Sequence, residues 1–167
     1  MDNEILDVVD AQDGVIDRRS RSEIHALALR HRAVHILLFN GKEQLLLQKR
    51  SLKKDHNKGL WDSSAAGHVD PGESYAVCAD RELLEELGIS TGLTPLFKLS
   101  ATPGTGMEFV QVFTGRHNGP VFPAADEIDE IQWRPIDEVN QQVACDEPTL
   151  TGSFKLIWRQ YQTVCLD

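Results

Sequence analysis

The chain has 167 residues, of which 41% are hydrophobic and 26% are charged, enough for one soluble domain with a substantial core. Its net charge of −9 argues against a protein that binds nucleic-acid polymers or anionic membranes through a basic surface, although a small phosphorylated ligand remains compatible. The sequence has no run of membrane-span length and no secretory signal pattern, and three scattered cysteines favour a cytoplasmic protein with reduced thiols.

The first third of the chain predicts strands. Two short ones are expected at 4–9 and 14–17, on either side of a polar turn. A buried hairpin is predicted at 33–40 and 44–50, because both runs are apolar and Asn40-Gly41 between them favours a tight turn.

A polar loop and then a helix are predicted next. The segment 51–64 lacks apolar periodicity and is expected to be a loop. A helix is predicted over 74–88, because Gly88 suits the residue after a helix and apolar side chains recur at helical spacing. That stripe comprises Ala76, Ala79, Leu83 and Leu87.

The remaining elements complete an α/β chain. Short helices are predicted near 136–143 and over 149–164, with Pro148 suited to the first turn of the second. Strands are predicted at 95–101 and 108–116, and the segment 126–134 leads through Arg134-Pro135 into the first of these helices. Together they indicate a single domain over 1–167, an α/β sandwich with a mixed sheet between helices, with 1–30 as an N-terminal extension.

Three carboxylates cluster on the central predicted helix. At 100° per residue, Glu85 and Glu86 lie on either side of Glu82, within an arc of roughly 100°. Like charges this close raise one another's pKa unless a cation joins them. A hard divalent ion such as Mg²⁺, completed by water and substrate phosphates, would relieve the repulsion. The cluster therefore predicts a metal-dependent enzyme that acts on phosphates.

The spacing around this cluster resembles the signature of the Nudix hydrolase family. Residues 67–89 read Gly-x5-Glu-x7-Arg-Glu-apolar-x-Glu-Glu-x-Gly-apolar. The matching positions are Gly67, Glu73, Arg81, Glu82, Leu83, Glu85, Glu86, Gly88 and Ile89. A solvated acidic helix face would explain the glutamates alone, but not the glycines and the arginine at fixed spacing.

The resemblance implies a Nudix-type α/β/α sandwich that hydrolyses a nucleoside diphosphate linked to another moiety, with Mg²⁺ or Mn²⁺. Carried onto this chain, it assigns the metal to Glu82, Glu85 and Glu86. Glu73 and Arg81 would form an ion pair that steadies the turn, while Gly67 and Gly88 would permit backbone turns. The general base varies in this family: Glu82 can serve, and the candidates outside the helix are Glu108, Glu127 and Glu130.

The flanking segments resemble the isopentenyl diphosphate isomerase branch of the same superfamily. The similarity is carried by 31–40, 45–51 and 61–68. It implies a second metal site formed by histidines and a glutamate, with Glu86 at the helix position. Those residues are His25, His31, His68 and Glu108.

Two departures from the isomerase pattern favour hydrolysis. Ala66 stands where the isomerases need a cysteine that moves a proton, and Gly106 replaces a second acid. The leading hypothesis is therefore a diphosphohydrolase of the isomerase-like branch. The alternatives are an isomerase that works without the cysteine and a non-catalytic Nudix-fold sensor, although sensors tend to lose the glutamates kept here.

Substrate-binding candidates lie in the polar loop and at its edges. Arg50 and Lys54 could meet the phosphates of a small-molecule diphosphate substrate. Trp61 could stack on a base, or it could be a packing anchor. An exposed strand edge or the last helix could support a homodimer.

Overall fold

The computed structural model describes residues 4–165, and residues 1–3 and 166–167 of the predicted domain lie outside them. The strands are β1 Ile5–Val9, β2 Val15–Ser20, β3 His31–Phe39, β4 Gln44–Arg50, β5 Trp61–Asp62, β6 Ala65–His68, β7 Thr94–Leu99, β8 Glu108–Arg116 and β9 Ile128–Pro135. The helices are α1 Arg21–Leu27, α2 Tyr75–Leu87, α3 Ile136–Ala144 and α4 Gly152–Cys165, with a 3-10 turn at Pro103–Thr105. No helix in the described range combines the length and apolar character needed to cross a bilayer.

Seven of these strands form one mixed sheet, as predicted. β3 lies at its centre and pairs in parallel with β8, with His31 opposite Glu108. It also pairs antiparallel with β6, where Ala33 lies opposite His68. The three strands therefore carry these two histidines and the glutamate to the same region from distant parts of the sequence.

The core is divided by the sheet into two layers, because successive strand side chains point to opposite faces. Val34, Ile36 and Leu38 of β3 pack in a cluster with the buried face of α2. Leu37 and Phe39 of the same strand pack in a second cluster with α3 and α4. Helices on both faces of a mixed sheet confirm the predicted α/β/α sandwich.

The N-terminal hairpin β1–β2 forms a separate two-stranded sheet that is tied to the main body through Asp13. The Asp13 carboxylate accepts hydrogen bonds from Arg32 Nε (2.7 Å), Tyr75 Oη (2.7 Å) and Lys98 Nζ (2.8 Å). This anchor fixes the turn of the hairpin to the main body, and the hairpin then leads into α1 at Ser20, whose side chain caps that helix.

Four local predictions needed correction. The polar pattern of 21–27 hid helix α1, because only Ile24 on that helix is buried. Strands β5 and β6 occupy part of the region around the predicted loop, held by pairing with β4 and β3 rather than by an apolar pattern. The last helix begins at Gly152, where Thr151 Oγ1 accepts from Phe154 N–H (3.1 Å), so Pro148 lies before the helix. In α2, the predicted stripe residue Ala76 is exposed and Cys78 is buried instead.

Candidate active site

A cleft of about 1340 Å³ brings the candidate residues together. Its walls come from α1, the 51–60 loop, β6, α2 and two further segments, 103–108 and 124–127. Every predicted metal ligand except His31 lines the cleft, and His31 is buried beside His25 and His68. Basic side chains from α1, β4, the 51–60 loop and α2 share the same space with them. The cleft therefore combines carboxylates, imidazoles and cations, the groups that bind metals and phosphates.

The turn before α2 is tied to the helix by Arg81. Arg81 Nε and Nη2 donate to the two carboxylate oxygens of Glu73 (2.8 and 2.9 Å), and Nη2 also donates to the His68 carbonyl (3.1 Å). The helix begins after Ser74, whose Oγ accepts from Val77 N–H (3.1 Å). The expected ion pair is therefore present, and it also connects the helix to the end of β6.

Gly67 is required because Glu82 occupies the space of its missing side chain. A Cβ atom built on Gly67 would lie 2.1 Å from Cδ of Glu82. Arg81 Nη1 donates to Oε1 of the same carboxylate (2.9 Å). Gly88 serves another purpose, since it ends α2 in the left-handed conformation with φ of 66°.

Glu86 is buried at the inner end of the carboxylate cluster. Its Oε1 accepts from Ala66 N–H (2.8 Å) and from Gln48 Nε2 (3.3 Å), while Oε2 has no hydrogen-bond partner within residues 4–165. Burial raises the pKa of the Glu86 carboxyl to about 8, and the nearby charge of Glu82 adds to this. Burial likewise raises the pKa of Glu82 to about 7, although Arg81 opposes the shift.

Glu85 differs from these two because its side chain is 57% exposed at the edge of the cleft. Its Oε2 accepts from Arg81 Nη1 (3.2 Å). The three glutamates therefore present two desolvated carboxylates and one accessible carboxylate to a common space. This donor set fits a divalent cation, because ionisation of the buried pair is costly until a positive charge compensates it.

A histidine cluster lies at the other side of β6. The ligand atoms of His25, His31 and His68 all lie within 4.8 Å of one another. His31 Nδ1 donates to the carbonyl of Leu29 (3.0 Å), which leaves the lone pair on Nε2. That Nε2 is buried and has no hydrogen-bond partner in the described part of the chain. A buried nitrogen lone pair without a partner fits a metal ligand.

Glu108 supplies the carboxylate of this cluster. Its Oε2 lies 3.1 Å from His68 Nε2 and 3.6 Å from His31 Nε2. Burial alone would raise the pKa of Glu108, but the His68 contact outweighs it and lowers the pKa to about 2. Burial would lower the pKa of His68, yet its contacts with Glu108 and Glu4 raise it to about 9. Burial and neighbouring positive charge lower the pKa of His25 to about 4.

The candidate bases outside the helix separate in space. Glu108 and Glu127 line the cleft, and Glu127 pairs there with Lys54. Glu130 is exposed on β9 and does not line the cleft, since its strand pairs with Lys49 on β4 at that point. The prediction of Glu130 as a candidate base is therefore wrong for this arrangement.

The loop cations also line the cleft, but the tryptophan does not. Arg50 Nε donates to the carbonyl of His56 (3.1 Å), and the Arg50 side chain reaches the cleft together with Lys54. Trp61 is 8% exposed and packs in the cluster beneath α3 and α4, with the Arg134 guanidinium 4.5 Å from its ring centre. Of the two alternatives for Trp61, the structure supports the packing anchor, because the ring lies in this cluster and does not line the cleft, so Trp61 is not a substrate-binding residue.

Three cleft residues had no sequence pattern that pointed to them. Glu4 lies beside His68, Arg21 begins α1 and pairs with Asp55, and the His56 ring lies 5.1 Å from that of His25. All come from segments interpreted as an extension or a loop. The sequence offered one indication: Arg21 and His25 are four residues apart, so on a helix they lie on the same face. That indication could be used only if 21–27 had been predicted as a helix.

The chain is similar to several known proteins in sequence and in fold. The family model described as NUDIX domain matches residues 29–151. An isopentenyl-diphosphate Delta-isomerase of Serratia proteamaculans is 33% identical over 162 residues, covering 94% of this chain and 90% of the relative. An uncharacterised Nudix hydrolase of Yersinia pestis is 35% identical over 147 residues, covering 87% and 80%. A crystal structure of a Deinococcus radiodurans protein superimposes with a TM-score of 0.83 at 26% identity, covering 94% and 98%.

Proposed function

The chain belongs to the NUDIX domain family, and on that premise we propose that it is a divalent-metal-dependent hydrolase of a diphosphate linkage. The substrate class is a nucleotide or a nucleoside diphosphate derivative. One observation carries the proposal: Glu86 is buried and Glu82 is largely buried at the cleft, both with raised pKa values, and Glu85 lies at its edge. The expected ion is Mg²⁺ or Mn²⁺, which bind through carboxylates and keep sites for water and phosphate oxygens.

Different residues would bind the metal, position its ligands and bind the substrate phosphates. Glu82, Glu85 and Glu86 would hold the ion, which when bound neutralises diphosphate charge and lowers the pKa of a bound water. Arg81 and Glu73 hold the helix and the preceding turn together, so they position these carboxylates. Arg50 and Lys54 would bind the outer phosphate oxygens as cations at the opposite wall.

A carboxylate must also take the proton of the attacking water. Glu82 and Glu127 are the two candidates with direct access to the carboxylate part of the cleft. Glu82 has a pKa near 7, which suits proton transfer at neutral pH. Glu127 is engaged by Lys54, so a phosphate that draws Lys54 away would release it. If Glu127→Gln lowers kcat while Mg²⁺ affinity is unchanged, Glu127 is the base; Glu82→Gln is expected to weaken Mg²⁺ binding as well, because Glu82 would also hold the ion.

The histidine cluster supports a second metal site with His25, His31, His68 and Glu108 as its ligands. Three imidazole nitrogens and one carboxylate favour a transition-metal ion over Mg²⁺. This cluster and the isomerase relatives together favour a second candidate function, isomerisation of a prenyl diphosphate. Ala66 argues against this second function. It offers only a methyl group and its backbone N–H, which donates to Glu86, and neither group can transfer a proton to carbon.

A substrate panel tests the proposal. The protein with Mg²⁺ is incubated with nucleotides, nucleotide sugars and isopentenyl diphosphate, and products are followed by phosphorus and proton NMR. Release of phosphate species that is lost in Glu86→Gln supports hydrolysis. Allylic rearrangement without phosphate release would replace it with the isomerase function. Ligand binding without turnover of any compound would favour a non-catalytic sensor.

We further infer a cytoplasmic location and a small-molecule partner. The cysteines Cys78, Cys145 and Cys165 are all free, which suits a reducing compartment.

A homodimer is proposed from the exposed edge of the N-terminal hairpin, and size-exclusion chromatography with light scattering tests it. A monomer across the accessible concentration range would reject it.

A further inference from the structure

Glu4 lies against the histidine cluster although it precedes the first strand. Its backbone carbonyl accepts from Arg21 N–H (2.7 Å), which fixes it beside the start of α1. Its Oε2 lies 3.6 Å from Nδ1 of His68. Oε2 of Glu108 lies 3.1 Å from Nε2 of the same ring. The His68 imidazole is therefore placed between two carboxylates, one at each nitrogen.

The two carboxylates are not equivalent. Glu108 also approaches Nε2 of His31 (3.6 Å), so it lies on the inner side of the ring, where the ligand atoms converge. Glu4 lies at the opposite nitrogen, with 36% of its side chain exposed. Metal-binding histidines usually coordinate through one nitrogen and donate the other N–H to a carboxylate or carbonyl, which fixes the tautomer and ring orientation.

His31 shows the same arrangement within this cluster. Its Nδ1 donates to the Leu29 carbonyl and its Nε2 is left buried and without a partner in the described residues. Glu4 would do for His68 what that carbonyl does for His31. Both rings would then present Nε2 to the same point.

We propose that Glu4 is a positioning residue of the histidine metal site: its carboxylate, 3.6 Å from Nδ1 of His68, moves within hydrogen-bond distance and accepts the Nδ1–H when an ion binds Nε2. The inference rests on the histidine site of the proposed function and adds the N-terminal segment to it. Glu4 is not a metal ligand in this arrangement. It acts through His68.

Zinc affinity of the purified full-length protein tests this role, measured with Zn²⁺ alone by competition with a chromophoric chelator. Glu4→Ala is expected to weaken Zn²⁺ binding about 10–100-fold, the usual effect of losing such a supporting partner. Glu4→Gln keeps an oxygen that accepts from Nδ1–H, so it should restore affinity to within about threefold of the unmodified chain. Glu138→Ala, an exposed substitution on α3, is the matched control and should leave zinc affinity unchanged.

A second measurement follows the tautomer directly. In the zinc-loaded protein with nitrogen-15 histidine, Nδ1 of His68 should retain its proton, and this signal should be lost or mixed in Glu4→Ala. Circular dichroism of each variant verifies that it is folded.

The failures are distinguishable. If Glu4→Gln weakens zinc as much as Glu4→Ala, the carboxylate acts by charge or by direct ligation, and the positioning role is overturned. If Glu4→Ala binds normally while His25→Ala is weakened, only this inference fails. If His25→Ala also binds zinc normally, both the histidine metal site and the role of Glu4 are rejected. If the unmodified protein hydrolyses no diphosphate of the panel, the proposed activity is rejected, while the zinc-binding result for Glu4 still stands.

Discussion

A Cβ atom on Gly67 would lie 2.1 Å from Cδ of Glu82, so the Glu82 carboxylate can occupy its position only because residue 67 has no side chain. Gly67→Ala should therefore displace Glu82 from the ion while the fold is kept, because the clash is with a movable side-chain end. We expect kcat to fall about 100-fold, as misplacement of a catalytic group by about 1 Å typically costs. Steady-state kinetics with a panel substrate measures it.

Gly92→Ala is the matched control for that substitution. A Cβ atom there would meet no atom within 4 Å. Its activity should be unchanged. If both variants keep full activity, Glu82 does not depend on the space at Gly67.

Glu86→Gln should abolish metal-dependent function without unfolding the chain. The amide oxygen still accepts the Ala66 N–H, but the charge that would bind the ion is gone. We expect kcat to fall by about 100-fold or more, because metal charge stabilisation is worth several kcal/mol. Isothermal titration with Mg²⁺ should show the matching loss of binding, whereas Glu138→Gln on the opposite face should bind and react normally.

Mg²⁺ affinity should rise with pH through the range from about 7 to 8. The folded-state pKa values of Glu82 and Glu86, about 7 and about 8, lie above their ordinary value, so both carboxyls hold protons at lower pH. An ion must displace those protons, and this cost disappears as pH rises past both values.

The free energy of unfolding of the metal-free protein should decrease as pH rises from about 4.5, the ordinary pKa of glutamate, to about 8. In this window the folded state binds more protons than the unfolded chain, so raising the pH favours unfolding. Calorimetric titrations and thermal unfolding at pH 6, 7, 8 and 9 measure both; affinity that falls with pH would contradict the shifts.

Arg81→Lys should destabilise the fold although the charge is kept. Lysine cannot reproduce the two parallel bonds to Glu73 together with those to Glu82 and the His68 carbonyl. The free energy of unfolding in urea should fall by about 1–3 kcal/mol, since charge-assisted bonds in a partly buried site are lost. Arg19→Lys, whose partners are exposed, should unfold like the unmodified chain; an equal loss in both would show that Arg81 has no special role.

The α2 helix and its carboxylates could be predicted from sequence because their pattern is local. Helical periodicity places Glu82, Glu85 and Glu86 on one side, and the fixed spacing to Gly67 and Arg81 identifies the family. The sandwich and the mixed sheet followed from the order of elements. The choice between the two roles of Trp61 needed the structure, because the side of a two-residue strand is set by its pairing with β4 and not by its neighbours in the chain.

The sequence by itself determined that this chain carries a helix with the Nudix spacing of carboxylates, and that Ala66 stands where the resemblance to the isomerase branch implies a cysteine. Only the tertiary structure decided which carboxylates face a common cleft, that Glu108 and not Glu130 lies there, and that Glu4 reaches His68. The physical reason is strand pairing. β3 binds β6 on one edge and β8 on the other, so His68, His31 and Glu108 meet across long sequence separations that no local pattern records.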